Sequence, residues 1–146
     1  MIALIQRVRS ARVDVGGETV GAIEAGILAL VAVQPGDGDV QATRLVERVL
    51  GYRIFGDDAG RMNRSLADVG GGLLLVSQFT LAADTTKGMR PGFSTAAAPE
   101  EAERGFARLV EIARSRHPRV EIGRFGAHMD VHLINDGPVT FWLEAR

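Results

Sequence analysis

Apolar and polar residues alternate imperfectly along residues 1–15: Ile2, Leu4 and Val8 fall on one side, Ala3 and Ile5 on the other, with Arg7 and Arg9 after them. A period of two predicts a long strand, bent where Ser10-Ala11 interrupts it. The Gly16-Gly17 pair between Val13-Asp14-Val15 and Val20 predicts a hairpin. Residues 26–33 (GILALVAV) are apolar almost without a break, and a run of that length predicts a strand covered on both faces. Gln34-Pro35-Gly36 ends it. The period then changes. Val40, Leu45, Val46, Val49 and Leu50 recur mostly at three- and four-residue spacing, which predicts an amphipathic helix capped by Asp37 and stopped by Gly51.

Residues 52–55 (YRIF) predict a short strand, and residues 56–68, rich in Asp, Gly, Asn and Arg, a loop with one helical turn. Gly70-Gly71-Gly72 breaks the chain before a second buried strand, Leu73-Leu74-Leu75-Val76, which runs on into Ser77-Gln78-Phe79-Thr80-Leu81. Residues 82–98 have little period, and a connection of that length is usually functional or disordered. Met89, Pro91 and Phe93 argue against disorder, because they look like anchors. Pro99 opens the strongest helix, with Glu100, Glu101 and Glu103 at its start and Arg114, Arg116 and His117 at its end, before Pro118. Ala102, Phe106, Leu109, Val110 and Ala113 make its apolar face. Residues 120–122 predict a short strand and residues 123–126 a turn.

At the end of the chain, Met129-Val131-Leu133 and Val139-Phe141-Leu143 alternate on either side of Asn135-Asp136-Gly137-Pro138, which predicts strand, turn, strand. Two readings fit this Gly-Pro pair: a tight turn, or a rigid hook that presents carbonyl oxygens. Eight strands and two main helices that do not alternate regularly predict an α+β fold. The expected architecture is a mixed, mostly antiparallel sheet, partly closed into a barrel, with the helices packed outside.

At 146 residues a single domain over 1–146 is expected, and 46% apolar residues supply its core. The absence of cysteine excludes disulfides, thiol catalysis and thiolate metal sites. A formal charge of −1 gives no global attraction to nucleic acid, so any such partner must be met by a local patch. The start of the chain lacks a signal-peptide layout, and its apolar run is too short to span a bilayer. A soluble, cytoplasmic protein with no membrane partner is expected.

Candidate chemistry is sparse. Ser77 is not in a Gly-x-Ser-x-Gly elbow, and no histidine is placed beside it by sequence. His128, Asp130 and His132 would share one face of a strand and could ligate a metal, but Met129, Val131 and Leu133 take the core face, which turns the polar three toward solvent. Gly70-Gly71-Gly72 precedes a strand, the wrong order for a phosphate loop. Arg61, Arg64, Lys87 and Arg90 fall in loops, where they are either scattered surface charge or contacts to a phosphate backbone. If this is an enzyme, positioning and backbone donors must carry the chemistry.

The blocks taken together are more specific. Ser77-Gln78-Phe79-Thr80-Leu81, then Lys87-Gly88-Met89-Arg90-Pro91, then Asn135-Asp136-Gly137-Pro138-Val139-Thr140 closely resemble the D-aminoacyl-tRNA deacylase family. Ile5-Gln6-Arg7-Val8 and Gly126-Ala127-His128-Met129 extend the resemblance over essentially the whole chain, with one departure at Gly92, where Ser is expected. The resemblance implies a hydrolase of the ester between a D-amino acid, or mischarged glycine, and the 3′ end of tRNA, with no cofactor and no metal. It implies a homodimer in which Gly137-Pro138 is a Gly-cis-Pro main-chain gate, entering the partner subunit's site and rejecting L residues. Thr80, Ser77 and Gln78 would be the catalytic strand end, Phe79 and Met129 would line the pocket, and Arg7 would brace the gate. No base stands beside Thr80, so the substrate's ribose 2′-hydroxyl is expected to help activate water. Two other readings stay open: a binding module for RNA ends or small metabolites without turnover, and a metal-dependent hydrolase on His128, Asp130 and His132.

Overall fold

Strand β1 (Ile2–Val15) is the axis of the fold in the computed structural model, which describes residues 1–146. Its first half pairs antiparallel with β3 (Gly26–Ala32), from Ile2↔Ala32 to Val8↔Gly26. Its second half pairs antiparallel with β2 (Glu18–Ile23), from Ala11↔Ile23 to Val15↔Glu18. The change of partner falls between Val8 and Ala11, where a bend is expected from the sequence. Parallel pairing continues from β3 to β6 (Gly72–Ser77) and from β6 to β7 (Val120–Ile122). Strand β2 then curls back to β7. A Cβ placed on Gly21 would lie 2.4 Å from the Ile122 carbonyl oxygen, so this near-closure of the barrel requires glycine there.

The apolar patterns decide what lies on each side of the sheet. Strands β3 and β6 are buried on both faces, as their unbroken runs predict. Helices α1 (Asp39–Gly51) and α3 (Pro99–Arg116) cover the outside, and Leu45, Val49, Leu109 and Ala113 pack there with Ile5, Ala29, Leu73 and Leu75. Each fully buried Leu or Ile contributes about 1.5–3 kcal/mol, against about 1 kcal/mol for a typical helix cap. A second cluster, Val8, Ala11, Val13, Ile23, Leu28, Leu74 and Val76, fills the barrel interior.

Three local expectations change. Helix α1 is capped at Gly38, whose N–H donates to Gln41 Oε1, while Asp37 accepts from the Gln34 N–H. The loop at 56–68 contains a small hairpin, β4 (Phe55–Gly56) with β5 (Met62–Arg64), followed by the one-turn helix α2 (Leu66–Val69) capped by Ser65. Such short strands leave no alternation to read, and the expected strand at 52–55 begins only at Phe55. The largest change is at the end of the chain. Strand β8 (Asp130–Glu144) is a single strand, antiparallel to β1 from Asp14↔Asp130 to Ile2↔Glu144. Both halves run in one direction along one partner, so Gly137-Pro138 is not a hairpin turn.

Candidate active site

On β8, Asn135 is paired with Val8 and Thr140 with Gln6. One residue of β1, Arg7, therefore faces residues 136–139, which bulge out of the ladder as a hook. Gly137 has φ +141°, and the Gly137–Pro138 peptide is cis. A Cβ on Gly137 would lie 2.6 Å from Val139 Cγ2 and 2.9 Å from the Val139 amide nitrogen, so only glycine fits.

The hook is exposed at Gly137 and Pro138 and pinned at its base. Arg7 Nε donates to the Asp136 carbonyl at 3.1 Å and lies 3.4 Å from its carboxylate, while Arg7 Nη1 donates to the Ile54 carbonyl at 2.7 Å. Asn135 Oδ1 accepts from the Val139 N–H, and Asn135 Nδ2 and Gln6 Nε2 both donate to the Thr140 hydroxyl. Sequence reasoning reaches Asn135, Thr140 and Gln6 only as members of motifs, with no role of their own. Their polarity beside a Gly-Pro pair was the available signal, but their bonding depends on β1 lying alongside. Arg7 reaches the hook of its own chain.

The second station is the end of β6. The strand stops at Ser77, and the chain enters a 3-10 turn over Phe79–Ala82 instead of continuing as strand. The Gln78 N–H still donates to the Val31 carbonyl, and the Leu81 N–H closes on Gln78 O. The first N–H groups of such a turn, those of Phe79 and Thr80, have no acceptor inside it. Gln78 Nε2 donates to the Thr80 hydroxyl, the one side-chain partner of that hydroxyl. An amide N–H cannot take a proton, so Thr80 has no base. Phe79 is 53% exposed, and its ring is 5.2 Å from that of Phe93. Met129 belongs here too: it packs on the barrel interior, and a Cβ on Gly123 would lie 2.8 Å from Met129 Sδ and 3.6 Å from Val76.

Thus Ser77, Gln78, Phe79, Thr80 and Met129 meet at one end of the barrel. Arg7, Gly137 and Pro138 meet elsewhere. Arg7 pairs with Ile27, Ile27 with Leu73, and Ser77 lies four residues further along β6. Three strand spacings and four residue rises put the hook on the order of 20 Å from Ser77 in the same chain. The basic residues divide the same way. Arg61 and Arg64 sit by the β4–β5 hairpin that follows Ile54, with Arg64 paired to Asp58, whereas Lys87 and Arg90 lie on the loop after the 3-10 turn.

Neither competing constellation assembles. No histidine reaches Ser77: His117 is buried with Nε2 2.7 Å from the Gly71 carbonyl, and His128 and His132 are exposed. His132 instead lies 3.2 Å from Asp14, whose carboxyl the Thr19 hydroxyl holds below the usual range, aided by Arg12. No group of three His, Cys, Asp or Glu side chains converges to hold a metal.

The chain is thus a small near-closed barrel that carries a main-chain strand end and a glycine hook and no catalytic dyad. The family model described as "D-Tyr-tRNA(Tyr) deacylase" matches residues 4–144, and the chain belongs to that family. It is 67% identical over 144 residues to the D-aminoacyl-tRNA deacylase of Stenotrophomonas maltophilia (strain K279a), covering 98% of this chain and 99% of that one. It is 65% identical over 146 residues to that of Alkalilimnicola ehrlichii (strain ATCC BAA-1101 / DSM 17681 / MLHE-1), covering 100% and 97%. Among solved structures, the c-Myc DNA Unwinding Element Binding Protein superposes with a TM-score of 0.95 at 39% identity, over 100% of this chain and 99% of that one. A probable eukaryotic D-amino acid tRNA deacylase has the same fold, with a TM-score of 0.84 at 16% identity over 98% of each chain.

Proposed function

We propose that this protein is a cytoplasmic D-aminoacyl-tRNA deacylase that works as a homodimer, with the Gly137-Pro138 hook of each subunit completing the Ser77–Thr80 site of the other. The observation that carries this reading is the pairing of an exposed, heavily pinned hook with a strand end on the order of 20 Å away in the same chain. Neither is a pocket alone. Strand β8, which bears the hook, pairs only with β1, and it exposes Ile134 (56%) and Trp142 (50%), apolar surface suited to a second copy.

The geometry suggests the chemistry. The ester carbonyl rests against the amides at the start of the 3-10 turn, which stabilise its oxygen as charge develops there. The substrate ammonium donates to carbonyl oxygens of the partner's hook. Three directions at the α-carbon are then set. A D side chain points outward, an L side chain meets main chain, and glycine has nothing to reject. Water attacks the carbonyl carbon, the bond to the ribose oxygen breaks, and that oxygen takes a proton relayed by the neighbouring 2′-hydroxyl. Free amino acid and tRNA leave. Thr80 and Gln78 orient this arrangement, and Arg7 keeps the hook in shape.

The test is incubation with D-tyrosyl-tRNA and L-tyrosyl-tRNA, with and without chelator. Release from the D ester alone, unchanged by chelator, is expected. No release from either would leave a module that binds RNA ends without turnover, and chelator-sensitive release would restore the metal reading.

A further inference from the structure

The segment between the 3-10 turn and α3 does something beyond joining them. Asp84 and Gly92 pair through two backbone hydrogen bonds of 2.7 and 2.9 Å, closing residues 84–92 into a small loop. Asp84 Oδ1 accepts from the Thr86 N–H and hydroxyl, which stiffens the outgoing arm. At the base, the Ala83 N–H bonds Thr80 O, the Thr95 hydroxyl bonds Ala82 O, and Phe93 lies against Phe79. The loop is thus mounted on the strand end that carries Phe79 and Thr80.

Its tip is built for contact. Residues 85–91 are all exposed, and Met89 is 100% exposed, a large apolar side chain with no role in the chain's own core. Lys87 and Arg90 flank it, and neither has a carboxylate within ion-pair distance. Two uncompensated cations around a flexible thioether match a single-stranded polynucleotide, whose phosphates take the charges and whose sugar or base face takes the sulfur. An acidic partner is not found on the chain's own surface here. Four residues from bridge to tip span at most about 14 Å, a reach longer than one nucleotide. The tip therefore serves nucleotides preceding the terminal one.

We propose that the 84–92 loop is the grip on the single-stranded 3′ end of the tRNA, with Lys87 and Arg90 holding phosphates and Met89 packing on a nucleotide between them. This rests on the deacylase reading and adds the part of the protein that separates tRNA from a bare aminoacyl nucleoside. The ester is positioned by the 3-10 turn and the hook. The loop positions the strand that delivers it, so its loss raises KM for tRNA and leaves the turnover of bound ester intact.

The experiment compares D-tyrosyl-tRNA with D-tyrosyl-adenosine, which has the ester and no phosphate. For Lys87→Gln/Arg90→Gln we expect kcat/KM on the tRNA ester to fall about tenfold or more at low salt, through KM. The slope of log kcat/KM against log salt becomes shallower by about 1.4, for two single-strand phosphates. Met89→Ser lowers kcat/KM on tRNA about threefold. All three substitutions spare the adenosine ester. Arg104→Gln/Arg114→Gln, which removes the same charge from exposed positions of α3, leaves both substrates unchanged. Equal loss on both esters, no loss on tRNA, or a change of oligomeric state in the loop variants would overturn the grip alone. A native protein inert toward both esters would overturn the deacylase reading and the grip with it.

Discussion

The hook at 136–139 and the strand end at 77–82 are built in opposite ways. Arg7, Asn135 and Thr140 over-determine the hook with hydrogen bonds to its base, and a glycine at φ +141° leaves no freedom of sequence. The strand end has few side-chain ties, an exposed Phe79, and a hydroxyl bonded only to an amide. One presents acceptors in a fixed shape and the other presents main-chain donors at the start of a turn. Chirality is a question of shape, so in the proposed reaction the rigid partner is the selector. Ester hydrolysis needs charge stabilisation at one atom, which main-chain donors supply without an acid-base pair.

Each half of this contrast can be broken separately. The largest effect is expected from Phe79→Pro. It deletes one N–H where a turn begins and also the ring that packs on Phe93, so deacylation of D-tyrosyl-tRNA should fall about 10²–10³-fold, whereas Phe79→Leu, which loses the ring and keeps the N–H, should retain most of the activity. Gly137→Ala should lower kcat/KM about 10²-fold, because its Cβ displaces the Val139 backbone, and should cost about 1–3 kcal/mol of stability, read by denaturant unfolding. Mixing these two inactive variants sharpens the comparison. If the hook works in trans, hybrid dimers regain about a quarter of native activity after random exchange, since half are hybrids and half of a hybrid's sites are intact. A hook working in cis gives none.

Smaller effects bear on Thr80 and on the loop. Thr80→Ala is expected to keep kcat within about threefold, as suits a group that orients without transferring protons. Complete loss of turnover with binding retained would make Thr80 the catalyst. The acid limb of stability carries the smallest effect. The Thr86 hydroxyl and amide hold the Asp84 carboxyl below the usual carboxylate range, so its folded pKa lies under its unfolded value. That contribution is complete above about pH 4 and is lost as pH falls through the depressed folded value. Unfolding temperature measured against pH should therefore decline below about pH 4, and Thr86→Ala should shallow the decline.

Much of the fold was legible. The apolar runs at 26–33 and 73–76 and the periodic helices report local periodicity or burial on both faces, which a single strand or helix records in its own residues. The hairpin at 55–64 was not, since strands of two and three residues have no period. The end of the chain is ambiguous in sequence for a different reason. Alternation on both sides of Gly137-Pro138 is the same whether the second half turns back or continues, and only the register on β1 separates the two.

By itself the sequence determined the long periodic elements, the poverty of side-chain catalysts and, through its motifs, the family. Tertiary structure alone decided that Gly137-Pro138 is a bulge opposite Arg7, that Thr80 lies on a 3-10 turn, and that hook and strand end stand apart. The reason is physical. Periodicity and turn chemistry are properties of neighbours along the chain, whereas a bulge exists only relative to a paired strand, and a distance between two sites only once the strands between them are in register.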